Sequence, residues 1–152
     1  MKSLRPPYFL NVDLDIESTV PLRSLAREFG NRVSIMYSGR MNGRYCLFVE
    51  IAAMYKTPDK TIHALCALIE SLSPKGRRLW NTAKRREFDV GFETRLSSNR
   101  ANRCSIDAAT LRRATELGAS VAVTLYRDDE RNPPAAEKRY SRKPYRSSIK
   151  SY

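Results

Sequence analysis

Four carboxylates of this chain stand where paired acids can do chemistry. Asp13 and Asp15 lie two apart in one extended run, and Glu50 and Asp89 fall in two other runs of strand character. Two acids on one strand face suit general acid–base work or a divalent cation. Nothing in the chain completes such a site. His63 is the single histidine, no Gly-rich loop follows a strand to cradle phosphate, and no Gly-x-Ser-x-Gly turn presents a nucleophile. His63 and Cys66 are three apart and can share a helix face, but zinc takes about four ligands, and Cys46 and Cys104 show no paired spacing. The sequence therefore assigns no catalytic residue, no metal and no cofactor, and enzymatic activity has no support in its motifs.

Phosphate binding is the second chemistry on offer. Lys75, Arg77, Arg78, Lys84, Arg85 and Arg86 surround Trp80, and Lys138, Arg139, Arg142, Lys143 and Arg146 are interleaved with Tyr140 and Tyr145. Cations gain affinity for nucleic acid by counterion release, and aromatic faces stack bases. The net charge of +12 favours polyanions in general. Residues 127–152 hold eight Lys/Arg against four Asp/Glu and almost no aliphatic residue. They read as a basic, largely flexible C-terminal tail after a single domain over 1–126.

The elements that must carry these residues show in the periodicity. Tyr8, Leu10, Val12, Leu14 and Ile16 alternate with Asn11, Asp13 and Asp15, which predicts a strand with one apolar face. Ser18/Thr19 with Pro21 predicts a helix start, Leu22, Leu25, Ala26 and Phe29 its stripe, and Gly30 its stop. Val33 and Ile35 begin a second strand, and Asn42-Gly43 turns it into a third, Arg44 to Ile51, placed inside the sheet because both its faces are apolar. Thr57-Pro58-Asp59 caps a helix with Ile62, Leu65, Ile69 and Leu72 inward. Ser73-Pro74 ends or kinks it, and a basic helical segment is expected to about Arg86. Glu87 to Glu93 forms a fourth strand, a loop leads from Leu96 to Cys104, and a last helix carries Leu111, Ala114 and Leu117 before the strand of Val121, Val123 and Leu125. The phrase Glu28-Phe29-Gly30-x-x-Val33-x-Ile35 recurs as Glu116-Leu117-Gly118-x-x-Val121-x-Val123, so a strand-helix-strand unit occurs twice.

With Val12, Val49, Val90 and Val123 toward the helices, the other sheet face carries Asn11 and six acids, Asp13, Asp15, Glu50, Glu87, Asp89 and Glu93. These are six of the sixteen acids of a basic protein. They are either solvated residues paired with neighbouring cations or an acidic surface receiving something basic: a partner, a neighbour's tail or Lys138–Arg146 of the same chain. Phe48 and Tyr126 share that face, but the carboxylates around them would repel phosphate, so any nucleic acid is expected at the basic segments instead.

No apolar run approaches the roughly 20 residues of a membrane span, the N-terminus has no apolar signal region, and three widely spaced cysteines make no disulfide framework. A cytoplasmic setting is the expectation. Leu72-Ser73-Pro74 closing the long helix, Cys104-Ser105-Ile106-Asp107 opening the last, and Glu116-Leu117-Gly118-Ala119 before a strand ending Leu125-Tyr126 resemble a family of bacterial α+β proteins classed as a domain of unknown function. Some of its members look like immunity or antitoxin proteins, which implies protein binding; the likeness covers about residues 8–126.

The expected molecule is an α+β domain. It has a mainly antiparallel or mixed five-stranded sheet, helices on one face, the order β-α-β-β-α-(α)-β-α-β, and a ferredoxin-like character. Its expected function is that of a non-enzymatic binding module, for protein first and for nucleic acid as the alternative, with self-association through an edge strand.

Overall fold

In the computed structural model of the chain, the structure describes residues 8–94 and 103–127. Nine regular elements follow one another: β1 (Tyr8–Ser18), α1 (Arg23–Phe29), β2 (Val33–Met41), β3 (Arg44–Ile51), α2 (Pro58–Glu70), α3 (Pro74–Thr82), β4 (Arg85–Thr94), α4 (Ala108–Glu116) and β5 (Ser120–Arg127). A single 3-10 turn, Gly30–Arg32, joins α1 to β2. The five strands make one mixed sheet in the order β2-β3-β1-β4-β5. β1 is antiparallel to both β3 and β4, β2 is antiparallel to β3, and β5 runs parallel to β4.

The apolar residues of β1 set the core. Val12, Leu14 and Ile16 are fully buried. Leu14 sits between Val49 and Phe88 of the flanking strands, and Val12 beside Val90. Leu25 and Phe29 of α1, Ile62, Leu65 and Ile69 of α2, and Trp80 of α3 close over this row. Each such side chain contributes about 1.5–3 kcal/mol by leaving water. Trp80 keeps its one polar atom satisfied, donating Nε1–H to the Leu117 carbonyl at 2.8 Å, as a buried indole requires.

Local signals explain most boundaries. Asn42 and Gly43 both have positive φ, 51° and 75°, the geometry of the tight turn that matches strand twist. Thr57 Oγ1 accepts from the Lys60 N–H at 3.3 Å with Pro58 in the first turn, and Ser73 Oγ does the same for Gly76 at 3.1 Å before α3. Gly30 and Gly118, the glycines that follow the helix ends in the two recurring phrases, take positive φ, 58° and 70°, where a Cβ would strain the backbone.

Several sequence expectations are corrected by pairing. The helix start at Ser18/Thr19 fails because β1 runs through Ser18, which pairs with Tyr45, while Glu17 pairs with both Cys46 and Arg85; ladder bonds to two neighbours outweigh one cap, and α1 begins at Arg23 without a side-chain cap. A register shift between Phe9 and Asn11 turns Phe9, not Leu10, onto the core, where its ring meets Phe92 edge-on at 6.0 Å. Arg85 and Arg86 belong to β4, not to a helix, because they pair with Glu17 and Ile16. Along α4 the buried residues are Thr110 and Ala114, followed by Leu117, while Leu111 is exposed; two small side chains let α4 approach α2. β5 is an edge strand, and Val123 and Leu125 are 60% and 61% exposed. Nine-residue α4 spans about 14 Å against about 26 Å for eight-residue β5, so it covers only the first part.

One clamp ties α1 to α3. The Glu28 carboxylate accepts from the Ser73 N–H and, at 3.0 Å, from Ser73 Oγ, so a side chain from one helix caps the next. A Cβ on Gly76 would land on that carboxylate. Gly76→Ala is therefore expected to destabilise the native protein although alanine is the better helix former by about 1 kcal/mol. In a Glu28→Ala background, itself costing about 1–2 kcal/mol, the same substitution becomes stabilising. Urea melts of the double-mutant cycle read this change of sign; the same sign in both backgrounds refutes the clamp.

Candidate functional site

The sheet face away from the helices gathers the sequence-predicted acids into rows. Glu50, Asp13 and Asp89 stand abreast on β3, β1 and β4, and Asp15 pairs with Glu87. Directly opposed residues on one face have Cβ atoms about 4.5–5.5 Å apart, so like charges crowd here. Asp13, Asp15 and Asp89 are 5%, 1% and 2% exposed. Arg85 supplies the counter-charge at one end: Nη1 meets Glu17 Oε1 at 2.8 Å, and Nη2 meets Glu87 Oε1 at 2.6 Å and Asp15 Oδ2 at 3.6 Å. Arg44 adds a second contact to Glu17 at 3.9 Å. At the other end Thr124 Oγ1 donates to Asp89 Oδ1 at 2.6 Å. Asp13, Asp15, Glu50 and Asp89 all have interaction partners.

This arrangement holds charge. Burial alone would lower the Arg85 value, but its hydrogen bonds with Glu87 and Glu17 hold the guanidinium above the ordinary arginine range. Among the described residues no group of three or more His, Cys, Asp or Glu side chains is placed to hold a metal ion. The open acidic surface expected from the sequence shrinks to Glu50, Glu87 and Glu93, which are half-buried, because the other three acids lie beneath their neighbours. Phe48 is buried on this face with the Tyr37 ring 5.7 Å away, so it presents no platform for a base.

The basic segment is dispersed by the fold. Arg77 donates to the Ile69 carbonyl at 3.4 Å, Arg85 serves the acids, and Arg86 lies over Trp80, 5.9 Å from the ring centre. Trp80 is fully buried and stacks nothing from outside. Lys75, Arg78 and Lys84 remain exposed. Lys138, Arg139, Arg142, Lys143 and Arg146 lie outside the described residues.

His63 and Cys66 part company. Cys66 is buried, and its thiol is pushed up to about 11 by burial. His63 is exposed and meets Arg113 Nη1 at 2.8 Å. Arg113 also makes a fork with Glu70, at 2.9 and 2.7 Å, which holds the Glu70 carboxyl below its usual range. This contact and the Asp107 N–H to Asp59 Oδ1 bond at 2.8 Å fasten α4 to α2. Cys46 is likewise buried, its thiol pushed up to about 11 by burial and then by Glu17.

Beside this junction runs a groove of about 990 Å³, lined along α2 by Ala64, Ala67 and Leu68, and on the far side by Ile51, Ala52 and Tyr55. Met54, next to it, is 97% exposed. Of its lining, only His63 carries a signal of possible chemistry in the sequence. The available signal was a pair of alanines on α2 facing an exposed Met-Tyr turn, which acquires meaning only once the helix lies beside β3.

Comparison with protein-family models, curated proteins and solved structures finds no match. Among the described residues no helix is long and apolar enough to cross a membrane.

Two measurements test this description. Arg85→Met is expected to cost about 2–3 kcal/mol in urea melts at neutral pH, because it strands acids in a shielded face, whereas Arg113→Met removes an exposed pair and costs under about 1 kcal/mol. Equal costs contradict the electrostatic role of Arg85. At pH 8 the native protein should expose one thiol, Cys104, to a disulfide reagent, and three after denaturation; rapid reaction of a second native thiol contradicts the burial of Cys46 and Cys66.

Proposed function

We propose that this chain is a non-enzymatic protein-binding module that seats an apolar segment of a partner protein in the groove along α2. The groove is the observation that carries the reading: it is open, about 990 Å³ and mainly apolar. Exposed apolar patches of this kind favour contact with another protein, and a flexible methionine at the lip adapts to its contours. Ala64 and Ala67 leave the depth that larger side chains would fill. The half-buried Glu50, Glu87 and Glu93 steer basic partners at longer range.

Around this core stand finer readings of our own. The order β2-β3-β1-β4 of the first four strands supports a ferredoxin-like character, with α4 and β5 appended at its edge. The likeness to the bacterial family with immunity-like and antitoxin-like members supports a protein as ligand, in a cytoplasmic setting. The exposed Val123 and Leu125 of edge strand β5 support self-association of two copies.

The groove is tested by a photo-crosslinking residue placed at Ala67, with one at Thr115 on the exposed side of α4 as control. The reading expects one discrete protein adduct in cells from position 67 and none from 115. Met54→Asp with Tyr55→Asp, which leave the core untouched, should abolish the adduct. Equal adducts from both positions, or none from either, remove the reading.

A further inference from the structure

Independently of the groove, we propose that the outer face of α1 and α3 is a nucleic-acid contact surface that grips the phosphodiester backbone without reading bases. Arg23 and Arg27 lie four apart on α1 and both are exposed, so they stand one turn apart, about 6 Å along the axis. The Glu28–Ser73 clamp draws α3 alongside, and with it Lys75 and Arg78, also exposed and three apart. None of these four cations has an ion-pair partner among the described residues. Glu28 is the one acid of either helix, and it is taken up by the Ser73 N–H and hydroxyl. Asn81 of α3 and Asn31 just after α1, both exposed, are side chains of the kind that donate to phosphate oxygens, whereas the Thr82 hydroxyl is taken up by the Arg78 and Leu79 carbonyls.

The chemistry of the partner follows from what this face lacks. Protein interfaces are anchored by buried aromatic or aliphatic hot spots, and every exposed large hydrophobic of the described residues lies outside α1 and α3. Cations with no apolar anchor bind by counterion release, which needs phosphates and nothing else. Trp80, the one aromatic residue of α3, is fully buried and its Nε1–H is used by Leu117. No base stacks there, so binding is sequence-independent. The six sheet acids lie on the opposite side of the molecule, so a polyanion is oriented with the helices toward it. Arg23 and Arg27, which the sequence pattern did not single out, thereby join Lys75 and Arg78, two of the six cations of the predicted basic segment.

The test uses the full chain with labelled duplex DNA and single-stranded RNA, each in two unrelated sequences, titrated from low to physiological salt. Replacing Arg23, Arg27, Lys75 and Arg78 by Gln is expected to flatten the log affinity–log salt slope on duplex DNA by about 3.5, since each phosphate contact contributes about 0.9. The loss should be equal for both sequences. A variant with Lys138, Arg139, Arg142, Lys143 and Arg146 changed to Gln should keep the share of the slope due to the helices. Should the fourfold variant melt lower than the parent, the pairs Arg23→Gln/Arg27→Gln and Lys75→Gln/Arg78→Gln, tested separately, should each flatten the slope by about 1.8. RNA and DNA arms that respond alike support a backbone contact. The proposal is overturned by any of three results: no binding by the parent at low salt, an unchanged slope in the helix variants, or a loss confined to one sequence.

Discussion

The two-residue alternation of β1, held at the centre of the sheet, is the constraint on which the rest depends. Because β1 pairs on both sides, every residue from Asp13 to Glu17 has a neighbour on two strands. Val12, Leu14 and Ile16 therefore anchor a continuous apolar layer under the helices, while Asp13, Asp15 and Glu17 anchor a continuous polar layer on the other side. A slip of one residue would exchange the two layers, placing three carboxylates beneath Phe29, Leu65 and Trp80. The cost of burying unpaired charge there makes the register effectively unique.

The polar layer brings its own cost, since acids on neighbouring strands repel. Arg85 offsets part of it by reaching Glu17, Glu87 and Asp15 from one guanidinium, a geometry that five fixed donors permit and a lysine does not. Strand β4 must then extend back to residue 85, which is why α3 stops at Thr82. The electrostatics of one face thus decide where a helix on the other face ends. The same economy joins α1 to α3, where Glu28 supplies the cap acceptor that makes glycine necessary at position 76.

Much of this was legible in the chain because it is local. Alternation marked the faces of β1, Asn42-Gly43 marked the hairpin, Thr57-Pro58 marked a helix start, and Gly30 and Gly118 marked two helix ends. What escaped was decided by partners distant in sequence. Ser18 looks like a helix cap until Tyr45 claims it for the ladder. Leu10 and Phe9 are equivalent until the register shift against β4 chooses between them. Leu111 and Thr110 differ by one position on a helix wheel, and only the close approach of α2 selects the smaller. Val123 matches Ile35 within the recurring phrase, and both end up exposed because each phrase feeds an edge strand.

The candidate surfaces divide along the same line. Acids two apart on a strand announce their shared face, so the acidic side was readable; their depth was not, because burial depends on what neighbouring strands place beside them. The cations of 75–86 are contiguous in sequence but scattered in space, since a helix and a strand share them: Arg77 closes α2, Arg85 faces the acids and Arg86 shields Trp80. Lys75 and Arg78 instead find their companions on α1, nearly fifty residues earlier. A run of like charges is thus a poor guide to a charged surface. The better guide is where the fold places each cation and what it already serves: Arg23, Arg27, Lys75 and Arg78 are exposed on two helices that the Glu28–Ser73 contact holds together, on the side of the sheet away from the carboxylates.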